Sequence, residues 1–195
     1  GGCFDIVLAV EQLGRGCIAI GTAFAANFLG IYPIIHGGSK EMKDKYLPKV
    51  ATGELFAAFG LTEANAGSDA SGIQTTAVLD GDEWVINGTK QWITNGGEAD
   101  IYTVIAMTDK TKGARGASMF VLEKGDPGFS FGPKEKKMGI RASATTELIF
   151  KDCRIPKDRL IGRQGTGFIN IMKTLDSSRP GIAALAVGLA QAALD

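Results

Sequence analysis

The sequence predicts an α+β fold in which helices at both ends flank a central antiparallel β-domain. Three observations predict it. Apolar residues recur at helical spacing from about residue 4 to 50, the period drops to two from about 55 to 161, and helical spacing returns after Gly165. Turn residues punctuate the middle part at short intervals. No run of helical length separates the strands, so the middle part closes as a barrel or sandwich rather than a parallel sheet with crossover helices. The division that follows is 1–54, the C-terminal part of an N-terminal helical domain, then 55–163, the middle β-domain, and 164–195, the first helix of a C-terminal helical domain.

At the start, Ile6, Val10 and Leu13 share one helical face. Residues 17–35 carry no charge and approach the length of a bilayer span. Gly21, Thr22, Asn27, Gly30 and Pro33 interrupt them, so the stretch reads as a helix buried in a large protein, not a membrane span. Ser39 is the N-cap of a short charged helix ending near Tyr46, and Pro48 and Gly53 close this part. His36 is assigned to a Gly-flanked turn without a catalytic role.

Residues 75–79 and 84–86 flank Asp80-Gly81-Asp82 as a hairpin, and Asn87-Gly88 predicts another turn. Further strands are predicted at 101–107, 118–122 and 147–150. Phe168, Ile171, Met172 and Leu175 then follow a helical face that Ile182, Leu185, Ala186 and Leu189 continue, with Pro180 expected to kink or divide it. Both ends lie inside helical patterns, as in a piece cut from a longer chain.

Composition narrows the function classes. With 45% hydrophobic and 22% charged residues the balance is that of a soluble globular protein. Lys+Arg and Asp+Glu both number 21 with no basic run, which leaves no electrostatic footprint for nucleic acid. Cys3, Cys17 and Cys153 are odd in number and lack a C-x-x-C pair, against a disulfide framework or zinc ribbon and in keeping with a reducing cytoplasm. A single histidine excludes a His-rich metal site, and no metal is expected.

The densest cluster of glycine and polar residues is Gly60-Leu61-Thr62-Glu63-Ala64-Asn65-Ala66-Gly67-Ser68-Asp69, after an apolar strand. Small residues there let backbone N–H groups approach an anion, and Thr62 and Ser68 add hydroxyls. On the residues alone an ordinary turn is favoured over a phosphate cradle, because any turn uses Gly, Asn, Ser and Asp. Likewise Trp92 reads as core and Thr94 as a strand residue.

The string from Gly60 to Gly72, G-L-T-E-x-x-A-G-S-D-x-x-G, resembles the first signature of the acyl-CoA dehydrogenase family. Trp92-Ile93-Thr94-Asn95-Gly96, Lys137-Met138-Gly139-Ile140-Arg141 and Leu175-Asp176-x-x-Arg179 are similar to later family segments and fall in the family's order over essentially the whole chain. The resemblance implies the acyl-CoA dehydrogenase fold, an FAD cofactor and an acyl-CoA substrate. It implies that Phe59, Gly60, Leu61, Thr62, Gly67, Ser68, Trp92, Ile93 and Thr94 bind the flavin. Leu61 and Thr62 would bond the pyrimidine edge, Trp92 would cover the ring face turned from substrate, and Thr94 would bond N5, the hydride acceptor. Ser68, Asp176 and Arg179 would contact the acyl-CoA. An arginine buried between apolar helices needs a partner or ligand, and an i, i+3 ion pair with Asp176 alone would satisfy it. Ala64 departs from the family's proline and should loosen the turn slightly.

The family's reaction removes the α-hydrogen as a proton and the β-hydrogen as hydride, giving a trans-2-enoyl-CoA. A carboxylate base is required. In the isovaleryl and long-chain types it precedes the arginine matched by Arg179, where this sequence has Ser178. Serine without a neighbouring histidine cannot replace a carboxylate, so no catalytic residue is assigned and the base is expected beyond Asp195, as in short- and medium-chain types. Residues 75–82, 107–110 and 128–132 look most like bacterial short-chain, butyryl-CoA enzymes. Also implied are electron transfer to an electron-transferring flavoprotein, a homotetramer or homodimer when complete, and weak FAD binding without turnover by the 195 residues alone. The competing expectations are an acyl-CoA oxidase and a non-catalytic flavin or acyl-CoA binding module.

Overall fold

The structure, a computed structural model, describes residues 2–195. Three helices lead: α1 (Cys3–Gly16), α2 (Ile18–Gly37) and α3 (Lys40–Ala51). Ser39 caps α3 as predicted, its hydroxyl accepting from the Met42 N–H at 3.2 Å, but the helix runs through Pro48 to Ala51. His36 lies in the last turn of α2 rather than in a loop, because the helix continues to Gly37.

Eight strands follow: β1 (Ala57–Gly60), β2 (Thr76–Asp80), β3 (Glu83–Thr94), β4 (Ile101–Met107), β5 (Ala117–Glu123), β6 (Phe129–Phe131), β7 (Thr145–Pro156) and β8 (Leu160–Ile161). The sheet order is β6-β7-β3-β2-β4-β5-β8, with β1 also on β4. It is mixed, not wholly antiparallel as expected: β1 runs parallel to β4 over four residue pairs, and β2 meets β4 in parallel at Thr76 and Met107. Parallel neighbours need a long crossover, which the β2–β3 hairpin provides between β1 and β4. Asn87-Gly88 is not a turn. It lies within β3, where Gly88 has φ +146° and a Cβ would stand 2.8 Å from the Thr75 Cα.

Strand β4 is buried along its whole length and divides two cores. Tyr102, Val104 and Ala106 join Trp84, Phe120, Phe129 and Phe150 on one face. Ile101, Ile105 and Met107 join Ile34, Tyr46, Phe59 and Ile171 on the other, beneath the helices. The alternation assigns each face to one core. Helix α2 is apolar and long enough to cross a membrane by composition, and it packs here against β1, α1 and α4. Gly30 permits the approach to β1, since a Cβ there would stand 2.8 Å from the Ala58 N. Three side chains fasten the contact: Asn27 Oδ1 accepts from the Ala57 N–H at 2.8 Å, Thr103 Oγ1 donates to the Gly30 carbonyl at 3.0 Å, and Asn95 Nδ2 donates to the Ala23 carbonyl at 2.9 Å.

The last helix, α4 (Gly167–Leu194), is continuous through Pro180, which does not divide it. Pro180 is exposed, and packing of α4 on both α1 and α2 spans the lost backbone bond.

Candidate functional site

The site begins with a bulge in β3. Lys90 pairs with Leu148 of β7 and Ile93 with Thr146, so β3 holds one extra residue over that interval. Trp92 absorbs it with φ +56°, left-handed backbone that costs a non-glycine residue about 1–2 kcal/mol. The bulge turns Trp92 outward, 59% exposed, while Ile93 stays buried. Asn95, also left-handed, turns the chain and anchors it to α2.

Beside the bulge lies a cavity of about 210 Å³ lined by Phe59, Leu61, Thr62, Trp92, Ile93 and Thr94, together with Ala26, Leu29 and Leu175 from the helices. Six of the nine sequence-predicted flavin residues therefore meet in one slot. The other three do not. Gly60 is buried in β1 between Leu148 and Val104, and Gly67 and Ser68 are exposed on the following loop. A larger recess of about 690 Å³, lined by Ile20, Phe24, Phe56 and Arg141 among others, contains none of the predicted residues.

A second, apolar cavity of about 110 Å³ lies between the helices, lined by Ile6, Thr22, Phe28, Tyr32, Ser177, Ser178, Gly181 and Ile182, among others. Ala26, Leu29 and Thr94 line both cavities and form the wall between them. Neither cavity is lined by a carboxylate. Ser178 donates to its own helix at the Leu175 carbonyl, 3.1 Å away. His36 Nε2 and Ser177 Oγ are 3.2 Å apart; burial and then nearby Lys173 and Lys43 hold the imidazole pKa below its ordinary value.

Asp176 and Arg179 are not buried between helices as expected. They form an exposed i, i+3 ion pair at 2.9 Å, because their positions lie on the outer face of α4.

Sequence reasoning missed the support beneath the slot. Lys90 is fully buried and donates to Glu63 Oε1 at 2.7 Å and to the Leu61 carbonyl at 3.2 Å. Glu63 also accepts from the Gln74 N–H at 2.6 Å and the Thr75 N–H at 3.0 Å, and the Gln91 N–H donates to the Thr62 carbonyl at 2.8 Å. Burial pulls Lys90 down to a pKa of about 8 against the opposing pull of Glu63. For Glu63, burial pushes the pKa up, but Lys90 and the bonds from Lys90, Thr75 and Gln74 outweigh it and leave the carboxyl below its usual value. The signal was available: Lys90 shares the inward phase of Trp84 and Ile86 in a two-residue repeat.

A planar, partly polar ring fits this slot. An exposed indole stands over it, apolar side chains floor it, and the hydroxyls of Thr62 and Thr94 make no hydrogen bond among the described residues.

Residues 1–54 match the acyl-CoA dehydrogenase N-terminal domain and residues 58–153 the acyl-CoA dehydrogenase middle domain. The chain is 49% identical over its full length to the short-chain-specific acyl-CoA dehydrogenase of Clostridium acetobutylicum, of which it covers 52%. It superimposes on butyryl-CoA dehydrogenase from Megasphaera elsdenii with TM-score 0.97 and 47% identity, covering all of this chain and 51% of that one. A chain solved in work on the electron transferring flavoprotein of Acidaminococcus fermentans gives TM-score 0.97 and 52% identity, over 99% of this chain and 51% of that one. The chain thus spans about half the length of these relatives. By both its domains and its fold, it belongs to the acyl-CoA dehydrogenase family.

Proposed function

We propose that this chain forms the flavin wall and part of the acyl pocket of an FAD-dependent dehydrogenase, which converts a short-chain acyl-CoA to its trans-2-enoyl-CoA and passes electrons to an electron-transferring flavoprotein. One observation carries the reading: two cavities, one beside the exposed Trp92 indole and one mainly apolar between the helices, share Thr94, Ala26 and Leu29 as a common wall. A hydride donor in the helical cavity would then face its acceptor across Thr94.

FAD, when bound, supplies the hydride acceptor. Trp92, Thr94, Leu61 and Thr62 would hold its ring, Trp92 by stacking and the other three by hydrogen bonds from backbone or hydroxyl groups. Gly67 and Ser68, on the exposed loop, serve the pyrophosphate and the incoming thioester. Asp176 and Arg179 meet the acyl-CoA at the surface of α4. The small helical cavity suits a butyryl-sized tail. With no carboxylate lining either cavity, we assign the α-proton to a base outside these 195 residues. We also assign 1–54, 55–163 and 164–195 to separate domains of a cytoplasmic homotetramer or homodimer without a membrane span.

The test is anaerobic titration of the protein encoded by the complete gene. Butyryl-CoA should bleach the oxidised flavin and palmitoyl-CoA should not; failure of every acyl-CoA to bleach it overturns the reading. The isolated 195 residues should bind FAD weakly and turn nothing over, so tight stoichiometric FAD on them would contradict that assignment.

A further inference from the structure

We propose that Lys90 is a positioning residue for the flavin: by holding the Leu61 carbonyl it aims the Thr62 N–H and hydroxyl into the cavity. The inference rests on the flavin reading above. In a trans peptide the N–H points opposite to the preceding carbonyl, so fixing the Leu61 carbonyl toward Lys90 turns the Thr62 N–H away from it. Lys90 is buried behind the slot, whereas Leu61 and Thr62 line it. The next carbonyl, that of Thr62, is held by the Gln91 N–H, and Glu63 binds Lys90 and the two N–H groups ahead of β2. Two successive peptides are thus fixed from behind, by a side chain and a backbone group adjacent in sequence, immediately before the Trp92 bulge. A buried ammonium has three N–H donors to satisfy, and of the two bonds Lys90 makes, the one to Leu61 is the one that reaches the ligand-facing edge.

The experiment uses the holoprotein from the complete gene and FAD as the probe. Lys90→Met leaves Glu63 buried without its cation, whereas Lys90→Met/Glu63→Gln removes both charges and retains one amide oxygen to accept from Gln74 or Thr75, which Glu63 serves with separate oxygens. The double variant should melt close to wild type, bind FAD about tenfold more weakly, and shift both the visible spectrum and midpoint potential of the bound flavin. Glu63→Gln alone keeps Lys90 on Leu61 and should keep the wild-type spectrum and potential. A double variant with wild-type affinity, spectrum and potential overturns the inference and leaves the flavin reading standing. Wild-type protein that takes up no FAD overturns both. A second measurement requires no variant: the Lys90 ¹⁵Nζ resonance should move when FAD binds, through the shared Leu61–Thr62 peptide, and a resonance that stays fixed also overturns the inference.

Discussion

The β-domain side of the slot beside Trp92 is held by buried groups with two or more bonds each, whereas the outer face of α4 offers one exposed ion pair between Asp176 and Arg179. Glu63 and Lys90 have left water, and each depends on the other for compensation. Asp176 and Arg179 remain solvated, so their attraction is screened and free to be exchanged for another partner. Under the proposed function the contrast would separate two tasks: a fixed wall for a ring that must be oriented, and a solvated contact for a substrate that comes and goes. Substitutions on the first side should show in stability, and those on the second in binding.

The largest effect is expected from Glu63→Ala, which strands the Lys90 ammonium in the core. Breaking one partner of a buried pair costs about 3–5 kcal/mol, so the melting temperature should fall on the order of 10 °C. A loss below about 1 kcal/mol would remove the distinction between the two sides. The pair also sets a pH test. Folded Lys90 has a pKa of about 8 against an ordinary 10.5, so between those values the unfolded chain holds a proton that the folded chain has released. Wild-type stability, measured relative to Lys90→Met/Glu63→Gln, should therefore rise with pH across that window. The Glu63 contribution has the opposite limit: it is complete above the ordinary value of 4.5 and is lost as pH falls through the lower folded value.

Next in size is Asn95→Ala. The amide donates to the Ala23 and Ala57 carbonyls, one on α2 and one on β1, and both would be left wanting. The cost is about 1–3 kcal/mol, read from denaturant midpoints. Because Ala26 and Leu29 sit on the helix so released, KM for the acyl-CoA should rise as well.

Trp92 reverses the balance between stability and binding. Its side chain is 59% exposed, so Trp92→Ala should change flavin-free stability by no more than about 0.5 kcal/mol. Trp92→Gly also relieves the left-handed backbone and should melt above the alanine variant. Both should bind FAD about tenfold more weakly, equivalent to ~1.4 kcal/mol; a titration showing unchanged affinity would take Trp92 out of the flavin wall.

Legibility in the sequence followed the range of the interactions. Strand β4 was plain because seven consecutive apolar or β-branched residues specify it locally, and the β2–β3 hairpin because Asp80-Gly81-Asp82 is a turn in itself. The parallel pairing of β1 with β4 was not, since it depends on partners more than forty residues apart, from Ala57 to Ile101. Nor was the Trp92 bulge, which exists only relative to the register of β7. Asn87-Gly88 carried a turn signal that tertiary pairing overrode. At the site, the signature strings identified six residues that meet in the slot, but the strings contain Gly60 for packing and Glu63 for the Lys90 bond, roles that a motif does not separate.

The smallest stability effect belongs to Arg179→Ala. An exposed i, i+3 pair contributes roughly 0.2–0.5 kcal/mol, so the melting temperature should move by no more than about 2 °C and that shift should vanish in high salt. Binding is the discriminating measurement. If Arg179 meets the acyl-CoA, the variant raises KM severalfold and leaves kcat near wild type, because the lost contact is made equally in ground and transition states. Asp176→Asn then separates orientation from charge: an aspartate that only steers Arg179 gives a smaller rise in the same direction, with no further loss in the double variant. If KM is unchanged in all three proteins, Asp176 and Arg179 are a helix-surface ion pair, and recognition of the acyl-CoA falls to Ser68 and the cavity between α2 and α4.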